Sequence, residues 1–117
     1  MAAISPSLFH KIASVSGALA IALGAYGAHA SSMNQESAKK FKESFMTGNL
    51  YHHLHNLALL AVPFAKRPIL YGSLMCAGIL LFSGSCYIVG ITRDKSFGKL
   101  APVGGYLLMA GWLTFAF

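Results

Sequence analysis

The chain has 117 residues, of which 56% are hydrophobic and only 10% charged, and its formal net charge is +6. A soluble domain carries about 25% charged residues, so this composition argues against water as the main solvent. The nine basic residues fall in short breaks between apolar runs, which is how membrane-flanking cations are placed and not how a nucleic-acid surface is built.

Residues 1–11 form a short, weakly basic head, and residues 12–30, IASVSGALAIALGAYGAHA, carry no charge. A first membrane-spanning helix is expected over about 9–30. A secretory leader competes with it, since Ala28-His29-Ala30 has the small-x-small form of a cleavage site. The retained helix is the reading taken forward. Ser16, Ala20, Gly24 and Ala28 recur every fourth residue, with Gly17 and Gly27 beside them. Such small-residue faces let membrane helices approach closely, within the chain or against a partner subunit.

Residues 31–48 are polar. Ala38, Phe41, Phe45 and Met46 follow helical spacing among Glu36, Lys39, Lys40, Lys42 and Glu43, so an amphipathic interfacial helix is expected over about 35–47, with Ser32 or Ser37 as its cap. An ordinary solvated connection is the competing reading. Residues 49–65 form the weakest span, apolar throughout only from Leu57, with Pro63 near its end. Lys66-Arg67-Pro68 turns into the strongest span. Residues 68–91 hold no charged side chain, and about 20 such residues cross a bilayer core of about 30 Å. Cys76 and Cys86 lie inside it, about 15 Å apart along a helix and beyond disulfide reach, so they read as free thiols. After a basic loop at 92–99, residues 100–117 form a fourth span, in which Gly104 and Gly111 share a face and Trp112 suits an interface. Gly84, between Ser83 and Ser85 in the third span, joins the helix-packing candidates.

The fold expected is all-α, a single domain of four transmembrane helices with one interfacial helix between the first two. Four spans put both termini on one side with Lys11, Lys66 and Arg67. Lys39, Lys40, Lys42, Arg93, Lys95 and Lys99 lie on the other, so the positive-inside rule places those loops in the cytoplasm or mitochondrial matrix.

One constellation could carry chemistry. His52 and His55 are three residues apart, and His29 would stand at comparable depth if the first two helices pack antiparallel. With Tyr51 and Ser83 they form a candidate polar cluster. Such histidines can line a proton or ion path, or ligate haem or a metal. They can also pack at helix ends with a polar tip near water, and that reading carries most weight. No C-x-x-C-H, HExxH, Walker or GxSxG motif occurs, and none of the three acidic residues lies in a span. No catalytic residue, cofactor or metal ligand is assigned.

Several phrases occur in a fixed order: Tyr26-Gly27-Ala28-His29, then His52-His53-x-His55-Asn56-Leu57-Ala58-Leu59-Leu60, then Phe82-Ser83-Gly84-Ser85-x-Tyr87. Leu100-Ala101-Pro102-x-Gly104-Gly105 and Gly111-Trp112-Leu113 follow. In this order and spacing the chain resembles transmembrane protein 256 and its bacterial relatives, the family labelled domain of unknown function 423, over nearly its whole length. The resemblance implies a small four-helix integral membrane protein without established enzymatic activity, mitochondrial in eukaryotes. The function expected is a non-catalytic accessory subunit of a larger assembly, such as a respiratory complex of the mitochondrial inner membrane. Its partners would be membrane lipid and other membrane subunits. The alternative is a small channel or transporter with a His-lined path, and a haem or metal carrier stands third.

Overall fold

A computed structural model describes residues 5–117; residues 1–4 of the expected head lie outside the described residues. Four helices follow in order, α1 Pro6–His29, α2 Lys39–Leu59, α3 Pro68–Thr92 and α4 Ala101–Ala116. Short 3-10 turns at Ser31–Met33, Glu36–Ala38, Val62–Phe64 and Lys95–Leu100 join them. Prolines 6, 68 and 102 stand in the first turns of α1, α3 and α4, where the missing N–H is no loss and the fixed φ suits a helix.

Helix α3 is the centre, lying along α2 on one side and α4 on the other, while α1 packs chiefly on α2. Two apolar clusters fill the interior. Phe9, Leu59, Tyr71 and Met75 lie at the end that holds the start of α1, and Met33, Phe45 and Tyr87 at the opposite end. The bundle is 48 Å long and about 25 Å across, against about 40–45 Å for a bilayer with its headgroups.

Among the described residues two helices, α1 and α3, are long and apolar enough to cross a membrane. Helix α2 has a charged first half, and α4 has 16 residues.

The expected interfacial helix over 35–47 does not exist as a separate element. Lys39–Leu59 is one continuous helix, so the change from polar to apolar composition near residue 48 is not a break in the backbone. Gly48 is there because α3 crosses it; a Cβ would stand 2.5 Å from that of Cys86. Neither Ser32 nor Ser37 caps the helix, since no side chain bonds its first turn. The expected span 49–65 stops at Leu59, and Val62–Phe64 forms a 3-10 turn. Pro63 has no N–H to continue the α-helical ladder, and its ring disfavours helical geometry in Val62.

The loop between α3 and α4 is tied at both ends. Arg93 closes α3 in the left-handed region, φ 57° and ψ 36°, a position glycine usually takes. Its guanidinium donates to the Ser32 carbonyl at 2.7 Å, to Gln35 Oε1 at 2.8 Å and to Ser37 Oγ at 3.2 Å. It thereby fastens the α1–α2 connection. Asp94 then accepts from the Ser96 backbone N–H at 2.9 Å and its hydroxyl at 2.7 Å. Those two donors hold the carboxyl pKa below its ordinary value.

Candidate functional site: a buried polar ladder

Asn49, His52 and Asn56 follow i, i+3, i+7 spacing and occupy one face of α2. All three are buried, at 4–7% exposure. Across from them α1 runs antiparallel. Asn56 Nδ2 donates to the Ala13 carbonyl at 2.9 Å, and Asn49 Nδ2 to the Ala20 carbonyl at 2.8 Å. Both carbonyls lie within α1, so each rung uses the second lone pair of an oxygen already serving its own helix. Midway between them, His52 Nε2 meets Ser16 Oγ at 2.7 Å.

The ladder reaches α3 through Tyr87, whose hydroxyl lies 2.7 Å from His52 Nδ1 and accepts from Asn49 Nδ2 at 3.1 Å. One assignment gives each N–H and the phenol proton of this chain an acceptor. Asn49 donates to the phenol oxygen, the phenol donates to Nδ1, and Nε2–H donates to Ser16. The imidazole is then neutral, and its tautomer is set by its two neighbours. Ser83 adds a second tie between α2 and α3, donating to the Gly48 carbonyl at 2.7 Å. Asn56 Oδ1 is the one fully buried side-chain polar atom without a partner among the described residues.

The expected cluster does not assemble. His52 and Ser83 are buried in the interior. His55, also buried, turns away toward α4: its Nδ1–H donates to the Tyr51 carbonyl at 2.9 Å, its ring stacks on Tyr51, and Trp112 meets it edge-on at 6.0 Å. Tyr51 itself packs on Phe82 at the surface. His29 is exposed at the far end of α1. It does not share a depth with His55, because the antiparallel register sets Ala13 against Asn56 and Gly27 against Met46. Along α1, His29 stands about 20 Å from the Ser16 rung. Among the described residues no three of His, Cys, Asp and Glu converge as metal ligands would.

The small residues singled out for packing divide as well. Ser16 and Ala20 receive the rungs just described. A Cβ at Gly17 would stand 3.2 Å from Asn56 Nδ2, at Gly24 2.9 Å from Asn49 Oδ1, and at Gly27 2.6 Å from Met46 Sδ. On α4, Gly104 lies against the α3 backbone at Phe82, and Gly111 faces Met75 at 3.0 Å. Gly84 packs against nothing within 4 Å, a departure from its expected role.

Sequence reasoning does not single out Asn49, Asn56 or Tyr87. The signal for the two asparagines is their spacing with His52 on an otherwise apolar helix. Tyr87 carries none beyond its place in a phrase.

A family model described as "Protein of unknown function (DUF423)" matches residues 23–105. The UPF0382 membrane protein YwdK of Bacillus subtilis is 34% identical over 113 residues, covering 91% of this chain and 90% of the relative. A UPF0382 membrane protein of Schizosaccharomyces pombe is 32% identical over 112 residues, covering 89% and 94%. One of Haemophilus influenzae is 34% identical over 111 residues, covering 91% and 88%. No solved structure matches the chain.

Proposed function

The chain belongs to the DUF423 family and is, like its relatives, a small integral membrane protein; from that premise we propose that all four helices cross the bilayer and that the bundle is a non-catalytic accessory subunit of a larger membrane assembly. The observation that carries the four-span reading is the inversion of α2. Leu50, Leu54 and Leu57 are 50–65% exposed while Asn49, His52 and Asn56 are buried. Water would favour the reverse. In hydrocarbon the leucines face the solvent they prefer, and the polar groups must pair internally. Helix α4 behaves alike, with Val103, Tyr106, Met109 and Leu113 exposed and Gly104, Leu108 and Gly111 inside.

The accessory role is supported by where the polar chemistry goes. The hydrogen bonds of the buried ladder tie α1, α2 and α3 together, so these groups serve cohesion and not turnover. Four spans set Lys39, Lys40, Lys42, Arg93, Lys95 and Lys99 opposite both termini, and the hydrogen bonds of Arg93 to the α1–α2 connection keep two basic segments together. Relatives in fission yeast and in bacteria suit an assembly both carry, and respiratory complexes are such assemblies. In a eukaryotic cell this reading puts the protein in the mitochondrial inner membrane, basic loops toward the matrix. Native-gel complexome profiling in mild detergent tests it. Co-migration with a larger complex is expected, and migration only at monomer or small-oligomer mass would refute the role.

The channel or transporter reading has less support. It needs a wet line through His29, Tyr51, His52, His55 and Ser83, and these residues face three different surroundings. Proteoliposome flux that disappears on His55→Ala would reinstate it.

A further inference from the structure

Helix α1 leans on α2 and touches α3 at few points. Between α1 and α3 the bundle therefore opens into a lateral, almost wholly apolar cleft of about 640 Å³. Val15, Leu19 and Leu80 line it and are 53–73% exposed. His52, Ser83 and Gly84 also line it. These polar groups make no demand on an occupant: His52 is held between Ser16 and Tyr87, and Ser83 donates to the Gly48 carbonyl.

The cleft has length and charge. On α1 it runs from Lys11 to Leu23, about 18 Å of helix, close to the about 15 Å of hydrocarbon in one leaflet. Lys11 stands at one mouth. Lys66 and Arg67, before α3, belong to the same end of the bundle, whereas the three carboxylates Glu36, Glu43 and Asp94 belong to the other. That end holds no acidic side chain among the described residues, and an empty apolar cleft open to lipid forfeits the dispersion contacts of its walls.

We propose that the α1–α3 cleft holds one acyl chain of an anionic phospholipid, with the headgroup phosphate against Lys11. Gly84 then has a reason: a glycine inside a helix is unfavourable, and here its missing side chain leaves the cleft open. The occupant is a structural lipid of the protein, whichever assembly the bundle joins.

Native mass spectrometry of the full chain released from nanodiscs of equal phosphatidylglycerol and phosphatidylcholine tests this. One phosphatidylglycerol per chain is expected. Lys11→Gln, at an exposed residue, should lower its retention about fivefold, the worth of one cation near an anionic surface. Gly84→Leu, which meets no neighbour at Cβ, should abolish retention without lowering helicity or melting temperature. Equal retention of the two lipids, or retention that survives both substitutions, means annular lipid only and overturns the site. Recovery of a peptide or a quinone in the cleft overturns it equally.

Discussion

The imidazole of His52 stands 2.7 Å from the hydroxyl of Tyr87, and through its other nitrogen 2.7 Å from that of Ser16, so one ring joins three helices. Tyr87→Phe leaves His52 Nδ1 and one Asn49 N–H without partners. Interhelical hydrogen bonds in membranes average about 0.6 kcal/mol and reach about 1.7, so a loss of about 1 kcal/mol is expected. Denaturant titration in detergent measures it. Combining Tyr87→Phe with His52→Leu should cost less than the two single losses added, because both remove one interaction. Strict additivity would show that the bond contributes nothing.

Two glycines that look alike in sequence should respond with opposite signs. A Cβ at Gly104 runs into the α3 backbone at Phe82, whereas one at Gly84 meets nothing within 4 Å. Gly104→Ala should destabilise by about 1–3 kcal/mol, as overpacking does. Gly84→Ala should stabilise by up to about 1 kcal/mol through helix propensity. Melting temperatures of the two variants in one detergent decide the point.

Arg93 should govern the order of the α1–α2 connection. Its three hydrogen bonds reach Ser32, Gln35 and Ser37, at a net worth of about 1 kcal/mol once solvent exposure is allowed for. Arg93→Ala should speed amide exchange over residues 31–38 about fivefold. Arg93→Gly, which relieves the left-handed backbone, should leave that exchange equally fast while restoring the end of α3.

Asp94 supplies the pH dependence. Its carboxyl pKa is lowered by the two Ser96 donors, so its contribution is present above the unfolded carboxylate value and is lost as pH falls through the lower folded value. The 95–100 turn should loosen only in that acidic window. An NMR titration of the Asp94 carboxyl should give a midpoint below 3.8, and Ser96→Ala should raise it.

Helices α1 and α3 were legible because nothing interrupts their uncharged runs. Composition changes near Gly48 and divides α2 in two on sequence alone, yet the backbone responds to hydrogen-bonding continuity and to a partner at close range. The expected pairing of His29 with His55 fails for want of register. Antiparallel packing sets residue 13 against 56 and 20 against 49, and no single residue announces that offset. Asn49, His52 and Asn56 were visible as a spacing, but nothing local says that their partners are two α1 carbonyls, a serine and a distant tyrosine.

The most direct test is a topology map with single cysteines in a chain carrying Cys76→Ala and Cys86→Ala. Ser7→Cys, Lys66→Cys and Phe117→Cys should react with an impermeant maleimide from one side of sealed vesicles, and Gln35→Cys and Ser96→Cys from the other. Labelling of positions 35 and 66 from the same side would mean that α2 does not cross, and the four-span bundle would be wrong.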